Sequence, residues 1–401
     1  MVQTKSPNGM PRKKTMDTRY QIDENTTRIT EYQLLGKLPD PFLLNDGRRV
    51  KSPEEWAERR AEIYKTAIEL QYGVQPPQPE FLEVEPLALA AIKGYLIHTG
   101  TREHPIVFRM QVILPETQGE KVPVIVDGDQ CWRYHMDRDY LNAALEHGVG
   151  WVFFDRTELA HDIQHVGRGH GALYETYPDC RAGALSAWAW GYSRCVDALE
   201  KLDLPIDLDF ITFCGHSRGA KATALAGALD TRARIVNPNA TCAGACGCYR
   251  IHMEGECDDV PEGRSETLDD LMRNFNFWMG EGMEAYRTSE ETLPFDTHFL
   301  KAMVAPRTLF ISEGAGDFWS NPVGSYQTTR AAGEVFDFLG AGEHLYWYFR
   351  PGTHGHRVED VEMLVNVIRH EKYGDPVDPR MFRRPFAEPE KAWDWKAPDR
   401  T

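Results

Sequence analysis

Three residues that together can move a proton and attack a carbonyl stand far apart along this 401-residue chain: Ser217, Asp317 and His354. Ser217 lies in Gly215-His-Ser-Arg-Gly219, directly after the apolar run Phe210-Ile-Thr-Phe-Cys214 and just before Lys221-Ala-Thr-Ala-Leu-Ala-Gly-Ala-Leu229. A serine hydroxyl is a weak nucleophile at neutral pH. It must therefore project from a tight strand-to-helix turn where an imidazole and amide donors reach it. The two glycines leave room for such a turn, and Ser217 is the candidate nucleophile. Gly-x-Ser-x-Gly also occurs as an ordinary turn; the apolar strand before it and the small-residue helix after it set this copy apart.

The acid and the base follow in order. Arg307-Thr-Leu-Phe-Ile-Ser312 reads as a buried strand, and the loop Glu313-Gly-Ala-Gly-Asp-Phe-Trp319 offers Asp317 as the acid, with Glu313 as its rival. Asp317 also suits the cap of a helix opened by Asn321-Pro-Val-Gly324. Leu345-Tyr-Trp-Tyr-Phe-Arg350 is the next strand, and Pro351-Gly-Thr-His-Gly-His356 offers His354 as the base. His356 competes, but His354 follows the strand more closely. Nucleophile, acid and base at successive strand ends imply an α/β-hydrolase fold: a doubly wound, mostly parallel sheet with helices on both faces, a three-layer sandwich.

The elements that must position these groups fit that expectation. Residues 107–114, 122–126 and 150–155 read as strands, and residues 182–202 as a long helix. Ser52-Pro-Glu-Glu opens a capped helix expected to run to residue 73. Three segments follow: 1–45 as a mobile tail and extended arm, 46–375 as one catalytic domain, and 376–401 as a Pro-rich tail pinned to the surface by Trp393 and Trp395. There is no internal repeat.

Composition excludes several classes. A net charge of -16 argues against nucleic acid as a partner and against an anionic membrane surface. No segment approaches eighteen continuous apolar residues, and the basic, polar start lacks a leader's apolar stretch. A cytoplasmic protein is the literal expectation; a secreted or periplasmic one whose leader had been removed would read the same. The eight cysteines are not a disulfide framework by count. Cys242, Cys246, Cys248 and Cys257 are open to three readings: buried thiols, a disulfide, or a metal cluster. Because the second ligand pair of a zinc site is missing, no metal site is assigned.

Seven blocks in order give the chain a family likeness over residues 50–370. They are Phe154-Asp-Arg-Thr-Glu-Leu-Ala160, Leu173-Tyr-Glu-Thr-Tyr-Pro-Asp179, Gly183-Ala-Leu-Ser-Ala-Trp-Ala-Trp-Gly191, Gly215-His-Ser-Arg-Gly-Ala-Lys221, Leu293-Pro-Phe-Asp-Thr-His298, Ala305-Pro-Arg307 and Arg350-Pro-Gly-Thr-His354. With these the chain resembles the glucuronoyl esterases of the α/β-hydrolase superfamily. The resemblance implies hydrolysis of the ester between the glucuronic acid carboxyl of xylan side chains and lignin alcohols, with no cofactor. It implies Ser217 as nucleophile, His354 as base, and Arg218 stabilising the oxyanion with its guanidinium and its own N–H. A second donor is expected from residues 128–132. Lys221 would bond sugar hydroxyls, a solvated helix residue being the alternative. Trp278, in Asn274-Phe-Asn-Phe-Trp278, would form a sugar-stacking wall, with core packing as the other reading.

One departure stands out. Many such enzymes carry a catalytic glutamate in a block reading E-S-G-x-G-G after the strand that follows the elbow. This chain has Asn237-Pro-Asn-Ala-Thr-Cys-Ala-Gly-Ala-Cys246, with Ala240 in the glutamate's place, so the acid role falls to Asp317. The substitution keeps two alternatives open, an acetyl or short-chain carboxylesterase and a non-catalytic carbohydrate-binding homologue. The expected partner is a small-molecule or carbohydrate ester, and the oligomeric state is not read from the sequence.

Overall fold

A computed structural model describes residues 27–88, 93–257, 260–387 and 389–399. Among the described residues twelve strands follow one another: β1 (Arg28–Leu34), β2 (Phe81–Leu87), β3 (Lys93–Gly100), β4 (Pro105–Ile113), β5 (Val122–Asp127), β6 (Gly150–Phe154), β7 (Ile206–His216), β8 (Ala233–Asn239), β9 (Ile251–Cys257), β10 (Val260–Arg264), β11 (Thr308–Gly314) and β12 (Leu345–Arg350). Nine of them form one sheet in the order β12-β11-β8-β7-β5-β6-β4-β3-β2. From β12 to β6 neighbours run parallel, and β4, β3 and β2 extend the sheet as an antiparallel meander. Every residue of β5, β11 and β12 is buried. A parallel strand covered on both faces reads as a continuous apolar run for that reason.

Successive side chains of β6 show how both faces are covered, because neighbours along a strand point to opposite sides. Trp151 stacks on Phe153 at 5.1 Å and on Tyr140 of the helix Arg138–Leu145 at 5.2 Å. Phe154 meets Tyr192 of the helix Ala184–Leu199 edge-on at 5.0 Å. That second helix packs beside Arg218–Leu229, and the first beside Val358–Tyr373. The sandwich therefore has three layers.

The sequence-based boundaries shift in instructive ways. The helix expected over 52–73 is capped by Ser52, whose Oγ accepts from the Glu55 N–H at 3.3 Å. It runs as Pro53–Ile63, widens to a π-turn at Tyr64–Glu69 and closes at Leu70–Tyr72. Part of the expected N-terminal arm is β1, which joins β9 and β10 in a three-stranded antiparallel sheet; residues 1–26 lie outside the described residues. The C-terminal tail packs on this arm: Leu38 N–H donates to Ala392 O at 2.8 Å and Trp395 Nε1 donates to Leu38 O at 2.8 Å. Among the described residues no helix is long and apolar enough to cross a membrane.

The small residues of Arg218–Leu229 let it approach the sheet closely. A Cβ at Gly227 would fall 2.4 Å from both γ carbons of Val236 on β8. Gly227→Ala gains about 1 kcal/mol of helix propensity but overpacks a filled core, which typically costs about 1–3 kcal/mol. Urea unfolding should therefore give a lower midpoint for the variant; a raised midpoint would show that the helix has slack against β8.

Candidate active site

β7 ends at His216, and the helix begins at Arg218. Between them Ser217 takes φ 58° and ψ -122°, a conformation that non-glycine residues rarely adopt. The flanking glycines are sterically required. A Cβ at Gly215 would lie 2.5 Å from Thr223 Oγ1, and one at Gly219 would lie 1.9 Å from Asp129 Oδ1. Ser217 donates its N–H to Asn239 O on β8 at 2.9 Å. A serine in this position ordinarily turns its hydroxyl onto the helix N–H groups. Here there is no side-chain cap bond, and the Oγ lies 3.0 Å from His354 Nε2.

His354 is placed by the residue that ends β12. The Arg350 side chain is fully buried and its Nε donates to both oxygens of Asp360, at 3.1 and 2.9 Å. Its two Nη atoms donate to the carbonyls of Pro351, Thr353 and Gly355, at 3.1, 3.1 and 2.6 Å. One guanidinium thus holds the loop on both sides of His354. The competing His356 points elsewhere: its Nδ1 lies 2.9 Å from the Tyr140 hydroxyl, and burial pushes its imidazole down to about 3.

Asp317 Oδ2 lies 2.6 Å from His354 Nδ1 and also accepts from Ser320 Oγ at 2.5 Å. The helix Pro322–Leu339 is capped not by Asp317 but by Asn321, whose Oδ1 accepts from the Gly324 N–H at 2.8 Å. The rival acid, Glu313, points into the core at 1% exposure. Burial, reinforced by the charge of Asp317, pushes its carboxyl up to about 8.

Around this line sit the groups expected to meet substrate. Arg218 is partly exposed, donates to Asp162 Oδ2 at 3.3 Å, and rests against Trp278, Phe275 and Trp132 with its guanidinium carbon 4.9, 5.2 and 5.9 Å from their ring centres. Trp278 is 2% exposed, stacks on Phe275 at 3.9 Å and donates Nε1 to Asp162 at 3.0 Å. It offers a sugar no open face; of the two sequence readings its burial under Arg218 fits core packing. Lys221 is neither solvated nor open to the surface. Its ammonium is buried, donates to Ala243 O and pairs with Glu266 at 3.2 Å. Of the expected oxyanion stretch, the amides of Gly128, Asp129, Gln130 and Trp132 are already engaged by Tyr192, Asp127, Phe154 and Asp129 respectively.

The four clustered cysteines do not converge. Cys242 Sγ lies 3.3 Å from Ser320 Oγ, Cys248 Sγ donates to Asp296 at 3.5 Å, and Cys257 Sγ faces Gly316. All are free thiols. Sequence reasoning missed Asp129, Asp162, Glu266 and Ser320. Asp162 stands two residues past the block Phe154–Ala160 and could have been noticed there; nothing local marks the other three.

The parallel core, the serine elbow and the acid and base loops at its strand ends place this chain among the carboxylic-ester hydrolases of α/β-hydrolase fold. A family model described as "Glucuronyl esterase, fungi" matches residues 97–340, more than half of the chain, and the chain belongs to that family. It is 28% identical over 324 residues to 4-O-methyl-glucuronoyl methylesterase 1 of Wolfiporia cocos, covering 80% of this chain and 76% of that one. The 4-O-methyl-glucuronoyl methylesterase of Hypocrea jecorina is 27% identical over 374 residues, with 90% and 76% covered. Among solved structures, a carbohydrate esterase family 15 glucuronoyl esterase from Caldicellulosiruptor kristjansonii superposes with a TM-score of 0.78 at 28% identity, over 91% of this chain and 98% of that one.

Glu313 gives the site a pH signature separate from turnover. Its carboxyl is raised from 4.5 to about 8 in the fold, so the folded chain holds a proton there that the unfolded chain releases. Stability attached to this group is complete below about pH 4.5 and is lost as pH rises towards 8. Glu313→Gln removes that loss. Unfolding free energies of parent and variant, from urea titrations, should diverge between about pH 5 and pH 8 in the variant's favour, by at most about 1.4 kcal/mol per pH unit, and run level above that. Parallel curves would contradict the buried, protonated assignment.

Proposed function

We propose that this chain hydrolyses esters of uronic acids through a two-step acyl transfer on Ser217. His354 Nε2 takes the hydroxyl proton as Ser217 Oγ attacks the ester carbonyl. Asp317, accepting from Nδ1–H, fixes the tautomer and stabilises the imidazolium. The imidazolium gives its proton to the departing alcohol, and a water activated by the same imidazole then releases the uronic acid. The resemblance gives the developing oxyanion to the Arg218 guanidinium and to its own N–H, which, first in the helix, lacks an intrahelical partner. Lys221 keeps one of its three ammonium donors beyond those given to Ala243 O and Glu266, and at 2% exposure that donor meets a sugar hydroxyl only where the segment covering it gives way. The observation that carries this reading is the unbroken line from Ser217 Oγ to His354 at 3.0 Å and from His354 to Asp317 at 2.6 Å. The relatives' names, 4-O-methyl-glucuronoyl methylesterases, supply the substrate class.

Steady-state kinetics on benzyl glucuronate and p-nitrophenyl acetate test it. The glucuronate ester should give the larger kcat/KM, Ser217→Ala should abolish turnover of both, and Asp317→Asn should lower kcat by about 1,000- to 10,000-fold. A preference for the acetate would replace the substrate class. Wild-type turnover by Ser217→Ala would remove the mechanism altogether.

A further inference from the structure

The residue before the nucleophile has a place in the site that proton transfer alone does not explain. His216 is 8% exposed, and its ring lies 4.6 Å from that of His354, tilted by 42°. On His356 it stacks at 5.6 Å with the planes 12° apart. Its Nδ1–H donates to Asn239 Oδ1 at 2.6 Å, and its backbone N–H donates to Asp129 Oδ2 at 2.7 Å. Asn239 is the residue whose carbonyl receives the Ser217 N–H, and its Nδ2 donates to Ser312 Oγ on β11 at 2.9 Å. The ring is thus anchored to the same point that fixes the serine, and it presents its body to the loop that carries the base.

We propose that His216 is a positioning residue: its ring ties the loop of residues 351–357 to the elbow and fixes the rotation of the His354 imidazole between Ser217 and Asp317. The inference rests on the acyl-transfer reading above. His354 is the most exposed member of the line, its side chain 42% accessible against 3% for Asp317. A hydrogen bond to Asp317 leaves an imidazole one remaining freedom, rotation about that bond, and a neighbouring ring restricts it by contact. His356, held by Tyr140 at 2.9 Å, backs the same ring and keeps it from sliding. The ring must also stay neutral, because His354 gains a charge as it takes the serine proton. Burial, with the neighbouring imidazoles of His356 and His354, holds His216 well below the usual histidine range.

Three variants separate ring, volume and hydrogen bond: His216→Phe keeps a flat ring, His216→Leu fills space without one, and His216→Ala does neither. On benzyl glucuronate, Ala and Leu should lose about 10- to 100-fold in kcat, the scale of a reacting group misplaced by about 1 Å, with KM within about threefold of the parent. Phe should return kcat to within about fivefold of the parent. Melting temperatures accompany each measurement, and the comparison of Leu with Phe decides the matter even if the Ala variant does not fold. Wild-type kcat in Leu, or a Phe variant as slow as Leu with an equal melting temperature, would overturn the role given to the ring. Turnover by Ser217→Ala in the same assay would instead overturn the reading beneath it.

Discussion

Asp129 accepts the backbone N–H of His216 and one nitrogen of Arg156, each at 2.7 Å, from a fully buried position under the elbow. A carboxylate sunk this far from water is tolerable only when paired and hydrogen-bonded. Arg156, also buried, meets that need while stacking over Trp188 at 4.7 Å. The same guanidinium reaches Asp162 at 3.3 Å, and Asp162 reaches Arg218 at 3.3 Å. Charges of alternating sign therefore run from the floor of the turn to its mouth. Arg156 and Asp162 each have a partner on either side, and so Arg218 is held at the end of the run rather than wandering as a surface arginine would. Preorganised charge of this kind lowers a barrier because nothing has to reorient during the reaction.

The base and acid loops show the same logic with different chemistry. A loop at a strand end has few contacts of its own, so its backbone carbonyls must be satisfied from elsewhere. Arg350 satisfies three of them and is itself neutralised by Asp360. In the acid loop Asn321 takes the capping duty at φ 61°, which leaves the Asp317 carboxylate to His354 and Ser320. Each catalytic candidate is therefore free for chemistry because a different residue has taken over the structural task that its position would otherwise impose.

What was legible in the sequence was local. The elbow, the strands ahead of Asp317 and His354, and the capped helix at Ser52 are patterns within a dozen residues, and each appears in the fold. The ambiguities between Asp317 and Glu313, and between His354 and His356, could not be resolved by spacing, because each pair occupies the same loop or strand end. Side-chain direction separates them: Glu313 lies in β11 and faces the core, whereas Asp317 lies past its end. Trp278 stayed open to a sugar wall and to core packing because an exposed tryptophan and a buried one are identical as letters. Asp129 and Glu266 left no signature, since their partners are 87 and 45 residues away. The hairpin β9–β10 was missed because its pairing with β1 spans more than 200 residues.

The segment after β8 shows how Asp317, the candidate acid, is supported from a neighbouring strand end. Ala240, where the resembling family's glutamate-bearing block would begin, has φ 52°, and Cys242 has φ 59°; such conformations cost non-glycine residues of order 1–3 kcal/mol each unless their surroundings enforce them. They are enforced here. Ala240 donates its N–H to Ser312 O at 2.9 Å, and Cys242 O accepts the Gly247 N–H at 2.9 Å. The resulting bend carries Cys242 Sγ to within 3.3 Å of Ser320 Oγ, and Ser320 donates to the Asp317 carboxylate. The segment with Ala240 in place of a carboxylate thus backs Asp317, past the end of β11, through a thiol and a hydroxyl. With its proton committed to Asp317, the Ser320 oxygen remains an acceptor for the thiol proton, so the contact has a defined direction: sulfur donates to serine and serine to the aspartate, which also accepts from the imidazole Nδ1–H.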